Sequence, residues 1–236
     1  MTQSNDILQR AEAGDDLTRQ ELETLLGLEA EEDRRALYEA AYRVKLATVG
    51  NKVYFRGIVE FSNICRKDCF YCGIRHSNQV VKRFQMTHDE IVSAAVWAHE
   101  NEYGSLVLQS GERNDPAFAD FITDILDEVH ERTNGALGIT LSLGEQTEAV
   151  YQRWLAAGAH RYLLRVETTN PSLYAQLHPA DHLWADRVAC LDSLRRVGYQ
   201  VGTGVMIGLP EQTLADLASD LVFLKERDID MIGMGP

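Results

Sequence analysis

The sequence predicts an α/β protein: a partial (β/α) TIM-type barrel with about six parallel strands, preceded by an N-terminal helical segment. Two observations predict this fold. From Val53 onwards, short apolar runs alternate with amphipathic stretches, which is the pattern of successive parallel β-α units. Before that point there is no strand signal, and apolar residues recur at helical spacing, as at Leu22, Leu25 and Leu26. We therefore expect two parts, a helical preface over residues 1–50 and a barrel over residues 51–236.

Each element of the barrel has its own local signal. The predicted strands cover residues 53–61, 105–110, 137–143, 161–166, 201–207 and 231–235. Between them, helices are predicted over 87–101, from 116, over 147–157, from 171, over 183–197 and over 214–227. Thr87 and Glu90 form a capping box that opens the first of these helices, while Gly158 and Gly198 are stop signals that close two others.

The predicted barrel is short for its class. A complete eightfold barrel takes about 250 residues, whereas about 184 residues run from Val53 to Pro236. Residues 231–236 have the pattern of a strand that runs into its loop. We expect either a truncated chain or an open barrel of six units, whose exposed sheet edge would favour association.

Composition and charge restrict the function classes. Of the 236 residues, 45% are hydrophobic and 25% are charged, which is typical of a globular protein. The formal net charge of -13 argues against binding of nucleic acid through phosphate contacts. The first 40 residues hold eleven acids against four bases, which indicates a solvated helical face or an acidic docking surface for a partner protein. No apolar run is long enough to span a bilayer, so we expect a soluble protein without a membrane partner.

The strongest functional signal is a run of three cysteines, Cys65, Cys69 and Cys72, with the spacing C-x3-C-x2-C. Three thiolates on one metal centre leave one coordination position without a protein ligand. Iron-sulfur clusters are normally held by four cysteinates, so this spacing favours a cluster whose last iron binds a small molecule. It predicts an enzyme in preference to an electron carrier. Because the chain shows no charged-then-apolar signal segment, we expect reduced thiols and a cytoplasmic location.

Zinc is the alternative metal for these cysteines. Together with His76 they would form a Cys3His site, which has the ligand count of a closed structural zinc centre. Zinc ligands usually come as pairs from two separate knuckles, however, and this favours the cluster. Cys190 lies in a helical pattern and is predicted to be a small buried hydrophobic residue, not a fourth ligand.

Polar and small residues collect at the predicted strand ends, where barrels carry their active sites. The segments are Gln109 to Glu112, Thr140 to Glu145 with Ser142, Arg165 to Asn170 with Glu167, and Gly202 to Pro210 with Gly204 and Gly208. Singly, each has an ordinary explanation in turn closure or a salt bridge. Around an open metal centre, their co-occurrence indicates a site. The glycines after the fifth strand do not match a dinucleotide-binding fingerprint, which must follow a first strand.

The cysteine spacing, with an aromatic Tyr71 before the last cysteine, resembles the signature of radical S-adenosylmethionine enzymes, which place this loop after the first strand of a (β/α) barrel. The longer segment 59–75 is similar to the FeFe-hydrogenase maturase family HydE. Agreement extends over segments 108–112, 140–145, 161–167, 223–226 and 230–236, so the resemblance covers essentially the whole chain, including the helical preface. The cysteines alone identify the superfamily, and the neighbouring segments favour HydE over biotin synthase and methylornithine synthase.

This resemblance implies two cofactors, a 4Fe-4S cluster on Cys65, Cys69 and Cys72 and S-adenosyl-L-methionine on the unique iron. One electron would cleave S-adenosylmethionine to methionine and a 5'-deoxyadenosyl radical. By this resemblance, Glu112 would contact the methionyl ammonium and Arg187 the methionyl carboxylate. Glu167 would contact the ribose. The adenine would be contacted by Tyr71, Gly204 and Gly208, and Ser142 is a further candidate for cofactor binding.

Four other residues match family positions that face the substrate, namely Gln109, Thr140, Arg165 and Met231. The planar fork of Arg165 suits a small carboxylate. The resemblance implies a small cysteine-derived or iron-bound substrate in assembly of the hydrogenase cofactor, with other maturation proteins as partners. The family continues through two further strands and a C-terminal segment. Two alternatives stay open, a biotin synthase-like or methylornithine synthase-like reaction and a non-catalytic iron-sulfur scaffold or carrier.

Overall fold

The computed structural model describes residues 3–236, which form an α/β fold with six parallel strands and nine helices. The strands are β1 (Gly57–Ser62), β2 (Ser105–Ser110), β3 (Gly138–Ser142), β4 (Ala159–Leu163), β5 (Gln200–Met206) and β6 (Met231–Gly235). The helices are α1 (Gln3–Ala13), α2 (Arg19–Leu26), α3 (Glu31–Val49), α4 (His88–Glu100), α5 (Pro116–Arg132), α6 (Glu148–Ala156), α7 (Pro171–Leu177), α8 (Trp184–Val197) and α9 (Leu214–Glu226). None of these helices has both the length and the apolar character that a membrane crossing requires.

The strands make one parallel sheet in the order β1-β2-β3-β4-β5-β6. Each strand pairs with the next one along the chain, and at least one helix lies between them. In such β-α units all strands run the same way, so their carboxyl ends meet at one edge of the sheet. The loops with the polar and cysteine-rich segments leave the strands at that edge.

The chain divides into two compact units. The first contains the residues up to Tyr54 together with Ile207–Arg227 and Pro236, and the second contains Phe55–Met206 and Asp228–Gly235. The six-stranded sheet therefore lies in the second unit. The first unit includes α9, which packs against α2. The predicted boundary between a preface and a barrel near residue 50 stays a prediction.

The core of the second unit lies between the sheet and its helices. It is rich in large aromatic side chains, and Trp154 of α6 stacks on Tyr162 of β4 with ring centroids 6.5 Å apart. The Trp154 indole N–H donates to the Ala119 carbonyl of α5 at 3.1 Å, which satisfies its only polar group. This packing fixes α5 and α6 behind β3 and β4, and it thereby fixes the loops at the carboxyl edge.

Local sequence signals set several element ends as predicted. Strands β2 and β6 have the predicted bounds, and α5 begins at Pro116. Thr87 and Glu90 form the capping box before α4, with the Thr87 N–H donating to Glu90 Oε2 at 2.7 Å. Gly198 closes α8 in the left-handed conformation.

Four predicted strands have different bounds: β3 and β5 differ by one residue at each end, and β1 and β4 differ by more. β1 begins at Gly57, not at Val53, because its register with β2 starts there, whereas Val53 and the next two residues are exposed. β4 covers Ala159–Leu163 instead of 161–166, and its pairing with β5 ends at Leu163 opposite Gly202. Arg165, predicted inside the fourth strand, and Glu167, predicted directly after it, consequently both lie past its end.

Candidate active site around the cysteine loop

The three neighbouring cysteines follow β1 in a segment that we call the cysteine loop, residues 63–86. All three are free thiols. Cys65 Sγ accepts a hydrogen bond from the Glu112 N–H at 3.3 Å, which joins the loop to the end of β2. This approach requires glycine at position 111, because a Cβ there would lie 2.4 Å from the Ile64 carbonyl oxygen.

A single arginine holds the cysteine loop in shape. The Arg83 guanidinium donates to four backbone carbonyls of the loop, those of Asn63 at 2.6 Å, Ile74 at 2.8 Å, Arg75 at 2.7 Å and Asn78 at 3.2 Å. Its planar fork of N–H donors can reach several acceptors at once, and hydrogen bonds from a charged donor are the stronger kind. The two ends of the loop are therefore fixed to each other through main-chain atoms.

On its other side the cysteine loop contacts the segment around α7. The Phe70 N–H donates to the Leu177 carbonyl at 2.9 Å, and the Asp68 N–H donates to His182 Nε2 at 3.1 Å. Tyr71, predicted to flank an adenine, is partly exposed, and its hydroxyl lies 3.4 Å from His178 Nε2. The cysteines are thus carried by a backbone that is hydrogen-bonded on both sides.

The three cysteines are free thiols, and cysteine sulfur is the ligand type that iron-sulfur clusters use. Burial raises the pKa of the Cys65 and Cys69 thiols, that of Cys69 to about 11, so metal binding must displace their protons. Within residues 3–236, no three His, Cys, Asp or Glu side chains converge as closely as a single metal ion requires. His76, the alternative zinc ligand, is exposed, and its N–H donates to the Lys67 carbonyl at 2.8 Å.

Glu112 is the buried carboxylate at the end of β2. Its Oε2 accepts the Glu145 N–H at 2.9 Å, whereas its Oε1 has no hydrogen-bond donor within the described residues. The Lys67 Nζ lies 3.6 Å from Oε1, outside hydrogen-bond distance. Burial raises the pKa of Glu112, and the neighbouring Glu145 adds to that effect. An oxygen in this position suits a ligand that brings its own N–H or ammonium donor.

Glu145 joins two cations of the site, and sequence reasoning did not select it. Its Oε2 accepts from Lys67 Nζ of the cysteine loop at 2.6 Å, and its Oε1 accepts from Arg187 Nε of α8 at 2.6 Å. Burial opposes ionisation of Glu145, but Arg187 and Lys67 outweigh it, so its pKa is lowered. The usable signal was its position, because Glu145 closes the polar segment after the third predicted strand, where barrels carry their active sites.

Arg187 is 8% exposed, and only part of its guanidinium is used by Glu145. Its Nη1 donates to the Arg165 carbonyl at 3.0 Å. The resemblance assigns Arg187 to a ligand carboxylate, whereas its present carboxylate partner is Glu145. With five N–H donors, a guanidinium can serve both.

Arg165 and Glu167 form an ion pair just past β4. Arg165 Nε lies 3.0 Å from Glu167 Oε2 and 3.3 Å from Oε1, and its Nη2 donates to the Val205 carbonyl at 3.0 Å. Glu167 has a φ of 66° and donates its N–H to the Gly204 carbonyl at 2.9 Å. Burial raises the pKa of Glu167, and Arg165 opposes that rise. A backbone turn with positive φ thus directs a buried carboxylate towards the residues of the site.

The two candidate glycines after β5 have different surroundings. A Cβ on Gly204 would lie 1.8 Å from the Gly233 carbonyl oxygen of β6, so strand packing is the physical reason for this glycine. The predicted contact of Gly204 with an adenine stays a prediction. Gly208 belongs to the other compact unit and has a φ of 89°, and its N–H donates to Gln212 Oε1 at 2.8 Å. Its role at an adenine stays a prediction.

The remaining candidates lie on the strands themselves. Glu60, Gln109 and Ser142 are paired across β1, β2 and β3, and Gln109 Nε2 donates to Glu60 Oε1 at 2.9 Å. Glu60 was not selected from the sequence, although it precedes the cysteine loop on β1. Thr140 is buried, and its hydroxyl has no hydrogen-bond partner in the described residues. Met231 begins β6, and its sulfur lies 3.5 Å from an Arg56 nitrogen.

Comparison with known proteins agrees with this geometry. The profile of the Radical SAM superfamily matches residues 59–224. The chain is 44% identical over 232 residues to the [FeFe] hydrogenase maturase subunit HydE of Thermotoga maritima, and it is 30% identical over 246 residues to a biotin synthase of Microcystis aeruginosa. These matches cover 98% and 100% of this chain. They cover 65% and 66% of the relatives, so the chain spans slightly less than two thirds of their length.

The fold is also found in solved structures. The crystal structure of methylornithine synthase superposes with a TM-score of 0.87 at 26% sequence identity. The superposition covers 97% of this chain and 66% of that enzyme. The six-stranded sheet with its helices is therefore the fold that this structure shares.

Proposed function

This chain belongs to the radical SAM superfamily, and from that premise we propose that it is an enzyme of FeFe-hydrogenase cofactor assembly acting on a small molecule. Identity of 44% to a HydE protein over nearly the whole chain is the observation that carries the proposal. The substrate we propose is a small cysteine-derived or iron-bound compound, handled with other maturation proteins in the cytoplasm. Reduced thiols and an acidic surface agree with that setting.

The residues fit a 4Fe-4S cluster together with S-adenosylmethionine. Soft thiolates on one short loop are the ligand type that such clusters require, and Glu112 adds a buried oxygen without a donor. When bound, the two groups would supply one-electron cleavage of the sulfonium and a 5'-deoxyadenosyl radical. We assign Cys65, Cys69 and Cys72 to the cluster.

The protein's own task is to bind and orient. Glu112 Oε1 would accept from the methionyl ammonium, and the donors of Arg187 that Glu145 leaves free would bind the methionyl carboxylate. Glu167 would accept from the ribose hydroxyls, and the Tyr71 ring would lie against the adenine. Arg165 would bind a substrate carboxylate with the part of its fork that Glu167 does not use.

A biotin synthase-like or methylornithine synthase-like reaction is the second candidate. The fold shared with methylornithine synthase favours it, since the superposition covers 97% of this chain with a TM-score of 0.87. The two candidates predict the same cluster and differ in substrate. Product analysis with candidate substrates separates them after the cluster has been demonstrated.

The first test is anaerobic reconstitution with iron and sulfide. We expect about four irons per chain in the wild type and release of 5'-deoxyadenosine with dithionite and S-adenosylmethionine. Cys65→Ala, Cys69→Ala and Cys72→Ala should each lose the cluster, while Cys190→Ala serves as the matched control and keeps it. Binding of one zinc and no iron would overturn the proposal. A protein that holds iron but shows no heat of binding with S-adenosylmethionine would be a scaffold or carrier.

A further inference from the structure

The cysteine loop differs in charge from the rest of the chain. Residues 69–88 contain no aspartate or glutamate, although these two residue types make up 36 of the 236 residues. The same stretch holds three bases, Arg75, Lys82 and Arg83. Arg83 binds carbonyls inside the loop, whereas within residues 3–236 no carboxylate forms an ion pair with Arg75 or Lys82. Two positive charges of the loop therefore lack an ion-pair partner.

Apolar side chains are exposed beside these charges. Val80 is 95% exposed and Phe84 is 46% exposed, and the two flank Lys82 in the sequence. A single exposed apolar residue is ordinary, but a group of them bordered by polar residues is typical of an interaction surface. We call Arg75, Val80, Lys82 and Phe84 the docking face.

The docking face is held by main-chain hydrogen bonds. The Asn63 side-chain amide donates to the Lys82 carbonyl at 2.9 Å, and the Asn63 N–H donates to the Phe84 carbonyl at 3.3 Å. The Arg83 guanidinium joins the Asn63 and Arg75 carbonyls. A surface that is already ordered loses little conformational entropy when a partner binds.

The docking face lies next to a proposed cluster ligand. Arg75 Nη1 donates to the Cys72 carbonyl at 3.1 Å. Lys67 of the same loop instead binds Glu145, the partner of Arg187, where we place S-adenosylmethionine. Within the described residues no side chain of the docking face is hydrogen-bonded to that group, so the ligand and a partner protein use different side chains.

We propose that the docking face binds an acidic one-electron carrier protein, which reduces the cluster. This inference rests on the proposed function, because cleavage of S-adenosylmethionine consumes one electron, which a donor outside the chain must supply. In this step the reduced carrier loses one electron, the cluster gains it, and no bond forms or breaks. Arg75 and Lys82 select the sign of the partner's charge, and Val80 with Phe84 supply apolar contact.

The charge of the whole chain makes this docking selective. Residues 63–86 contain five bases and one acid, whereas the chain has a net charge of -13. Charges act over roughly 8–10 Å at physiological salt. An acidic carrier is therefore repelled by the chain in general and attracted only where it comes close to the cysteine loop.

The first test measures binding of a purified acidic bacterial ferredoxin to the reconstituted protein by calorimetry. Lys82→Glu should raise the dissociation constant about tenfold, because it places a carboxylate opposite those of the carrier. Lys52→Glu is the matched control: Lys52 is also exposed, it has no ion pair within the described residues, and it lies outside the cysteine loop. This control should change the constant less than twofold. Equal effects of the two changes would overturn the inference, and so would a wild type that does not bind the ferredoxin.

The second test follows cluster reduction by stopped-flow spectroscopy without S-adenosylmethionine. Reduced ferredoxin should reduce the cluster of Lys82→Glu about tenfold more slowly than that of the wild type. Photoreduced deazaflavin, a small neutral donor that needs no docking, should reduce both at the same rate. If Lys82→Glu slowed both donors equally, Lys82 would act on the cluster and the inference would be wrong.

A second copy of this acidic chain is the competing occupant of the docking face. Sedimentation equilibrium separates the two, because weaker self-association of Lys82→Glu with unchanged ferredoxin binding would identify the second copy and overturn the inference. A wild type that binds no iron would contradict the proposed function. Ferredoxin binding to that iron-free protein, weakened by Lys82→Glu and not by Lys52→Glu, would still support the docking face.

Discussion

At the scale of single residues, Glu145 determines how the cysteine loop is joined to α8. Its two oxygens bind Lys67, which stands between two of the cysteines, and Arg187, which we assign to the ligand. All three side chains are largely buried, so water cannot replace a lost partner. Removing one member of a buried ionic group leaves an uncompensated charge, which costs more than the group contributes when it is complete.

Glu145→Gln should therefore destabilise the iron-free protein by about 3 kcal/mol, because it keeps the shape of the side chain and leaves two buried cations facing a neutral amide. Urea unfolding at neutral pH measures this change. Glu148→Gln is the matched control, since Glu148 also pairs with an arginine, Arg196, but does so at the surface. Its effect should be much smaller. If the two changes lowered the free energy of unfolding equally, the buried Lys67–Glu145–Arg187 group would contribute no more to stability than an ion pair at the surface.

At the scale of elements, β5 and β6 approach each other through glycine. In their register Gly204 faces Gly233, and the backbone of β6 occupies the space where a side chain of residue 204 would lie. A Cβ on Gly233, by contrast, would meet only an Arg165 nitrogen at 3.6 Å, an ordinary contact. The structure therefore has room for an alanine side chain at position 233 but not at position 204.

Gly204→Ala should lower the free energy of unfolding by about 3 kcal/mol or more, because the strands must separate to admit the methyl group. Gly233→Ala is its control and should leave the thermal midpoint nearly unchanged. Differential scanning calorimetry measures both. If Gly204→Ala left the thermal midpoint unchanged, β5 and β6 would have to lie farther apart than they do in the structure.

The elements were predictable where their signals are local. The capping box at Thr87, Pro116 at a first helical turn and Gly198 after α8 each act within a few residues, and each was predicted from the sequence. The start of β1 and the end of β4 depend on where a neighbouring strand stops pairing, which a local pattern does not contain.

In the site, too, the motifs of residue type were predictable, whereas contacts between residues far apart in the sequence were not. The cysteine spacing and the strand-end carboxylates are visible in the sequence, since they are motifs of residue type. The link between Lys67 and Glu145 joins residues 78 positions apart, so it could not be predicted from the sequence alone. The buried hydroxyl of Tyr174, which makes no hydrogen bond within the described residues, is likewise a property of packing, because only the folded chain shows it.

At the scale of the whole molecule, the sheet has two edge strands within the described residues, β1 and β6. Both expose apolar side chains: Ile58 on β1, and Ile232 and Met234 on β6. Unpaired strand edges with apolar residues are templates for pairing with another chain. The net charge of -13 opposes association, but about half of it lies in the first 40 residues, before the first strand, and it does not protect a particular edge.

We expect the 236-residue chain to associate through these edges and Ile232→Lys to weaken that association about tenfold, because a charged residue on an edge strand opposes pairing. Sedimentation equilibrium over a range of concentrations measures the effect. Val80→Lys is the control, since Val80 is also apolar and even more exposed but belongs to the cysteine loop and not to a strand. If both variants weakened association equally, net charge would be the cause and the strand edge would not.

The carbonyl contacts of Arg83 have a consequence for the evolution of the cysteine loop. Every acceptor of its guanidinium is a main-chain oxygen, which each residue type supplies equally. Residue 74 therefore takes part through its backbone alone, so its side chain can change without loss of this contact, whereas the side chains of Arg75 and Asn78 also bind the loop, at the Cys72 and Gly73 carbonyls. A change of Arg83 itself, by contrast, would release all four carbonyls together.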